Sequence, residues 1–410
     1  MIYQPPAGAR DFLPLEVVQK RWLEQRLQQT FASWSYQQII TPTLERLDTL
    51  MAGEAIKPET VIQLRDAEEG LLGLRPELTA SIARAAVTRM AGAIYPQRLY
   101  YNANIFRRSP TASSQQEFFQ AGVELLGSHG LMADAEILLL LRDCLTHLNL
   151  HQWQVILGEA GLTTSLLSVF PDPIREQVRR AIAQLDRVGL LALPLTPELR
   201  QRASLLMDLR GQPAQVLARV AKLDLEPDQQ LRVQHLQELT DLLADKLPLH
   251  LDLSLLQTFD YYTGIVFEVI ATTKTEVRVV GQGGRYDSLL ALYHPQQQII
   301  PGIGFSLNLE DLHQVALLKG HLPHRPPASN WLVVPQQAQA IAACFAYAQT
   351  LRSESPEVDA IRVEIALEPR SPAETRDYAR QRQIPYIAWI GSNGTPKIEA
   401  VDLAQDIAAC

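Results

Sequence analysis

The sequence of 410 residues is 47% hydrophobic and 20% charged, an ordinary balance for a soluble globular protein and longer than one core sustains, so two or three domains are expected. Its net charge of −8 argues against a general nucleic-acid binder, which needs clustered Lys and Arg to neutralise phosphates. No run of about 18 apolar residues occurs, the opening Met1-Ile2-Tyr3-Gln4-Pro5-Pro6 lacks a signal-peptide pattern, and the scattered Cys144, Cys344 and Cys410 fit neither a disulfide framework nor a metal cluster. A cytoplasmic protein with no metal, cofactor or membrane contact is expected.

Gly8 to Pro14 reads as a loop by its Gly and Pro content. A helix follows, with Val18, Trp22, Leu27 and Phe31 at helical spacing. Tyr36 to Ile40 reads as a strand leading to Pro42, a residue that belongs on a sheet edge, where subunits commonly meet. Val61–Leu64 and Gly70–Leu74 form a predicted hairpin ending in Arg75-Pro76-Glu77. Glu77 stands just before a helix starting near Thr79, where a carboxylate can cap the helix or bind a ligand.

Arg98 to Phe106 is a predicted strand with Arg107 and Arg108 at its end, and Glu117 to Leu126 is its return. Alternation puts Phe118, Gln120, Gly122 and Glu124 on one face. Polar groups at Gln120 and Glu124 would be costly in a plain core, so that face is expected to border a polar pocket. A leucine-rich helix (133–148) and a strand (155–157) come next. Helical patterning punctuated by Pro194, Pro197, Pro213 and Pro227 then runs from about 173 to 247, a helical insertion between two halves of a β-rich core.

The core resumes at Leu249 and reaches Gln257-Thr258-Phe259-Asp260-Tyr261-Tyr262 ahead of a β-rich run from Ile265. Asp260 can bind a cation or a ring N–H. On an extended segment Tyr261 and Tyr262 point to opposite faces, so one lines a pocket while the other packs behind it; a plain strand entry is the alternative. Gly281-Gln282-Gly283-Gly284 lacks the spacing of a dinucleotide fingerprint and reads as a turn or as a close backbone approach to a ligand. Gly302 to Leu309 is a strand entering a helix near Glu310. Pro323, Pro326 and Pro327 mark a linker (323–330), and strands alternating with helices over 331–410 make a small α/β domain.

In this order the pieces resemble histidyl-tRNA synthetase, a class II aminoacyl-tRNA synthetase, across almost the whole chain. The resemblance implies an α+β core (1–322) in which an antiparallel sheet is flanked by helices, followed by an anticodon-binding-like domain (331–410). Pro42 matches the dimer-interface proline of the first motif. Arg75-Pro76-Glu77 with Thr79-Ala80, Phe106-Arg107, Gln120-Ala121-Gly122-Val123-Glu124, Asp260-Tyr261-Tyr262 and Gly283-Gly284-Arg285-Tyr286-Asp287 match the stretches that hold histidine. By that resemblance Glu77, Arg107, Gln120, Glu124, Asp260, Tyr261 and Tyr262 are candidate histidine-binding residues, and no catalytic residue is expected.

The departures fall on the nucleotide side. Ser109 stands where the family has an acid that orients adenine, and Asn308 where it has a glycine. Asp311 stands where an arginine stacks on ATP, and Gln257 where an arginine faces the α-phosphate. Cations aimed at a transferring phosphoryl group supply most of its stabilisation, so two such losses, one with reversed sign, argue against amino-acid activation. A kept pocket with a dismantled nucleotide site resembles the ATP phosphoribosyltransferase regulatory subunits, a family of synthetase paralogues. That resemblance implies a non-catalytic subunit of a glycosyltransferase complex, partnered by the short-form catalytic subunit, dimeric through its synthetase-like core and sensitive to histidine. The inhibitory histidine would sit on this chain or at the subunit interface. A divergent histidyl-tRNA synthetase and a tRNA-binding paralogue are the alternatives.

Overall fold

The computed structural model describes residues 3–53, 56–108, 115–255, 261–273, 276–354 and 360–403. Ser109, Gln257 and Asp260, three positions on which the sequence argument leans, lie outside the described residues. The chain divides into two compact units, Met1–Pro323 and His324–Cys410. Among the described residues no helix is long and apolar enough to cross a membrane.

The first unit is built on a nine-stranded sheet. Its centre is antiparallel, running Gln97–Phe106, Glu117–Leu126, Gly302–Asn308, Val277–Arg285, Ile265–Thr272 and Trp153–Glu159. Gln37–Gln38 adds to one side in parallel; Leu249–Asp252 and then Arg210–Gly211 extend the other. One face is covered by the helices Pro14–Ser33, Leu131–His147 and Leu309–Leu318, whose apolar stripes join Val123, Leu125, Leu157, Phe267 and Phe305 in one large core. Phe31 ties helix to sheet, with its ring 5.4 Å from that of Tyr100 and 6.3 Å from that of Phe305. The opposite face carries a second cluster in which the helix Thr79–Thr88 packs Ile82 and Ala86 over Leu99, Tyr101 and Tyr286.

Two local expectations change. The glycine run is not a turn: Gly281 to Gly284 lies inside the strand Val277–Arg285, and Gln282 and Gly283 line the pocket described below. A methyl at Gly284 would sit 2.7 Å from both the Tyr262 ring and Ile265 O, so the missing side chain makes room for a neighbouring strand and an aromatic ring. The stretch between 173 and 247 is not purely helical. Helices Asp172–Ala183, Arg187–Ala192, Pro197–Met207, Pro213–Val220 and Pro227–Leu243 are interrupted by Arg210–Gly211, which pairs with Asp252 and Leu251 at the sheet's end. Leu236, Leu239 and Leu243 belong to the main core. The segment is thus stitched into the sheet by backbone bonds as well as by packing.

The second unit has a four-stranded sheet ordered Val363–Ile365, Trp331–Pro335, Tyr386–Ile390, Pro396–Ala400, parallel except for the last strand. Helices Ile341–Ser353 and Pro372–Gln381 connect its parallel strands. Ser371 begins the second helix with a capping box: its hydroxyl accepts from Glu374 N while Glu374 accepts from Ser371 N.

Because Phe31 is fully buried, Phe31→Ala leaves a cavity under the sheet and costs about 3–5 kcal/mol. Urea denaturation of the first unit reports this as a lower midpoint, with the second unit's transition unchanged.

Candidate ligand pocket

The pocket lies on the sheet face opposite the large core and is narrow, with a cavity volume of about 20 Å³. Its rear wall is Glu124, on the central strand Glu117–Leu126 and only 2% exposed. The strand alternation anticipated in the sequence puts Gln120 on the same wall. Glu124 accepts hydrogen bonds from the hydroxyl of Thr79, at 2.8 Å, and from that of Tyr286. Burial pushes its carboxyl up to about 8; the two donors pull the other way, and the charge of nearby Glu77 adds to the rise.

Glu77 forms the second acidic wall, and the capping role left open by the sequence is the one its hydrogen bonds show. Its two oxygens accept from Thr79 N at 2.5 Å and Ala80 N at 2.8 Å, so it caps the helix Thr79–Thr88, and it also lines the pocket. Burial raises its pKa against the pull of those two amides and of Arg107. The turn that presents it is fixed by Arg75, whose guanidinium binds Asn104 O at 2.9 Å and Thr41 O at 2.7 Å.

Arg107 follows the strand Gln97–Phe106 and lines the pocket, with Nε donating to Pro76 O at 3.0 Å. Burial lowers its pKa and the Glu77 charge opposes that. Tyr261 and Tyr262 also line the pocket, with ring centroids 4.8 Å apart. This corrects the expectation of opposite faces. The strand begins only at Ile265, and the turn before it brings both rings to one side.

Of the candidates named from sequence, Glu77, Arg107, Gln120, Glu124, Tyr261 and Tyr262 therefore meet at one cavity, and Asp260 lies outside the described residues. Sequence reasoning missed Thr79, Tyr101, Gln282 and Tyr286 as lining residues. Tyr286 had a signal, since it sits in the Gly283-to-Asp287 stretch. Tyr101 had none, because only sheet register sets it beside Gly122.

The chemistry offered is recognition of a small zwitterion. Two buried carboxyl groups can meet a cation, Arg107 can meet a carboxylate, and the tyrosines supply apolar faces with hydroxyl groups. Among the described residues no group of three or more His, Cys, Asp or Glu side chains is placed to hold a metal ion.

Asp311 stands in the first turn of the helix Leu309–Leu318, which is capped by Asn308 through Glu310 N and Asp311 N. Its Oδ1 is 2.9 Å from Nη1 of Arg278, whose Nη2 lies 3.0 Å from Glu276. The carboxylate is thus engaged by a neighbouring strand.

The family model for histidyl-tRNA synthetase matches residues 8–312. Among solved structures, a chain described as an ATP phosphoribosyltransferase regulatory subunit/histidyl-tRNA synthetase from Bacillus halodurans superposes with a TM-score of 0.79 at 24% identity, covering 95% of this chain and 99% of that one. The histidyl-tRNA synthetase of Nostoc sp. PCC 7120 gives 0.77 at 20% identity, covering 98% and 97%. Both likenesses speak for the class II synthetase fold. Curated relatives are nearer in sequence. The ATP phosphoribosyltransferase regulatory subunit of Cyanothece sp. (strain PCC 7425) is 69% identical over 98% of this chain and 100% of its own length. That of Nostoc punctiforme is 59% identical with the same coverage. Identity of this level along the whole chain, on a histidyl-tRNA synthetase fold, shows that the chain belongs to the ATP phosphoribosyltransferase regulatory subunit family.

Proposed function

We propose that this chain acts without catalysis of its own: it assembles with the short-form catalytic subunit of ATP phosphoribosyltransferase in the cytoplasm, is required there for the first step of histidine biosynthesis, and binds histidine in the pocket described above to convey feedback. The observation that carries the reading is the pairing of an intact acidic pocket with Asp311 at the position of an ATP-stacking arginine. Asp311 would repel a triphosphate, and its tie to Arg278 occupies the nearest cation. Gln257 in place of a second arginine removes the charge that a phosphoryl transition state needs. In the pocket, Glu77 and Glu124 suit the ammonium and imidazole of histidine, and Arg107 its carboxylate.

Mixing the purified chain with the short-form catalytic subunit is expected to give one complex, active in phosphoribosyl transfer and inhibited by histidine. Histidine-dependent exchange of pyrophosphate into ATP by this chain alone would overturn the proposal.

Glu124 gives the binding a pH signature. In the unliganded fold it keeps its proton up to about 8, whereas unfolded glutamate loses it near 4.3. The raised value therefore contributes stability at acid pH that is lost as pH rises towards 8. A cationic group arriving beside Glu124 favours its ionised form, so binding releases a proton. Calorimetry of histidine binding in buffers of different ionisation enthalpy should record that release. Glu124→Gln abolishes it and weakens affinity about ten-fold or more, as expected for loss of a charge-assisted hydrogen bond. Unchanged affinity would remove histidine from this pocket.

Self-association follows from a second surface. Leu44, Leu64, Leu72 and Leu74 share one face of the small sheet Leu44–Arg46, Gly70–Leu74, Gln63–Asp66, by direct pairing and by alternation. Leu44 and Leu64 are 45% and 44% exposed, while Gly73 on the other face packs against Leu50 and Val61. An exposed leucine face beside the Pro42 edge suits a second copy of the chain. Leu64→Glu should convert a dimer to monomer in sedimentation velocity runs, and a dimer that survives it places the interface elsewhere.

A further inference from the structure

The helix Pro227–Leu243 reaches the rear of the pocket with two side chains one turn apart, Arg232 and His235. Nη1 of Arg232 lies 2.9 Å from Glu159 Oε1 and 3.1 Å from Thr263 O, and its Nε bonds Asp228 on its own helix. Glu159 is 4% exposed and caps the next helix through Leu162 N. A methyl on Gly161 would collide with the Arg232 guanidinium, so the approach requires glycine there. Thr263 directly follows the two pocket tyrosines Tyr261 and Tyr262.

His235 Nε2 lies 2.7 Å from Oδ2 of Asp134, a carboxylate 1% exposed on the helix Leu131–His147. Asp134 Oδ1 accepts twice from Arg285, from Nε at 2.9 Å and Nη2 at 2.5 Å. Arg285 also holds Asp287 Oδ1 at 3.0 Å and Ser128 O at 3.2 Å. Between Arg285 and Asp287 stands Tyr286, the tyrosine bonded to Glu124. The two branches close on each other, since Thr263 N donates to Arg285 O at 2.8 Å and Asp287 N donates to Thr263 Oγ1 at 2.9 Å. One helix outside the pocket therefore bonds the Tyr261–Thr263 segment directly and the Arg285–Asp287 segment through Asp134, and these segments carry three of the pocket's four tyrosines.

We propose that His235 and Arg232 are positioning residues for the pocket, and that protonated His235 locks the Tyr261–Thr263 and Arg285–Asp287 segments in their binding arrangement while neutral His235 releases them. The charged groups facing its ring are Asp134 and Arg285 from the elements packed against it, Glu159 from the strand Trp153–Glu159, and Arg232 and Glu238 from its own helix. The Asp134 hydrogen bond dominates and raises the imidazole above its usual range against burial and the Arg285 charge. Buried Asp134 then has two cations on its two oxygens. When the ring loses its proton, Arg285 alone compensates the carboxylate, and the hold on the insertion helix weakens. The lock is thus tight below the raised imidazole pKa and loosens as pH rises through it.

The consequence for affinity rests on the reading of the pocket as a histidine site, whereas the lock itself can be tested without ligand. Hydrogen exchange in the full-length chain, corrected for intrinsic rates, is compared at about pH 6 and about pH 9, on either side of the imidazole transition. In the wild type the Thr263 and Asp287 amides should exchange about ten-fold faster at the higher pH, the effect of one charge-assisted hydrogen bond. His235→Gln, neutral throughout, should show the fast rates at both pH values, with protection in the second unit unchanged. Equal protection in both proteins at both pH values overturns the proposal, as does faster exchange in His235→Gln that keeps the wild-type pH dependence, since that would mark simple destabilisation. Histidine titrations on the two proteins supply the second readout. Titration of the ligand and of Glu124 is common to both, so a loss of affinity in His235→Gln at the lower pH that vanishes at the higher one belongs to the lock. If exchange responds as expected but neither protein binds histidine, the lock stands and the histidine reading of the pocket falls.

Discussion

A carboxylate buried in the middle of an antiparallel sheet sets the terms for much of the first unit. Glu124 is too deep to be hydrated, so the structure around it must supply donors or leave it protonated. Tyr286 and Thr79 supply two. The strand beside it carries Gly304, where any side chain would overlap the Glu124 carboxylate. The helix that brings Thr79 is itself started by a second buried acid, Glu77. The fold thus accepts two acids within one cavity and leaves both with raised pKa values. Such an arrangement makes sense as preparation for a cationic guest, and it would be poor design for a core.

Around Asp311 the charges are paired with one another. A site for a triphosphate needs positive charge that is free to meet it. Here Asp311 draws Arg278 into a local ion pair, and Glu276 shares the same guanidinium. The Arg278 charge is neutralised within the protein.

The segment between 173 and 247 gains meaning from the same network. It could be taken as an appendage, yet its leucines complete the main core, its short strand extends the sheet, and its last helix is bonded to Glu159, Asp134 and Thr263. The segment that carries the pocket tyrosines Tyr261 and Tyr262 is bonded to this helix at Thr263.

Much of this was written locally in the sequence. The long helices, the paired strands around Arg98–Phe106 and Glu117–Leu126, and the shared face of Gln120 and Glu124 follow from periodicity alone, since side-chain direction repeats every two or 3.6 residues. The short motifs made Glu77, Arg107, Tyr261 and Tyr262 candidates, and Asp311 stood out as a candidate departure without coordinates. Tertiary structure decided the remainder. It put the glycine run inside a strand, turned both tyrosines to one cavity, and gave Glu77 two tasks. It joined Asp134 to Arg285 across 151 positions and to His235 across 101. Those outcomes depend on strand register and on which elements meet, and neither leaves a local trace, because a residue's neighbours along the chain do not set its neighbours in space.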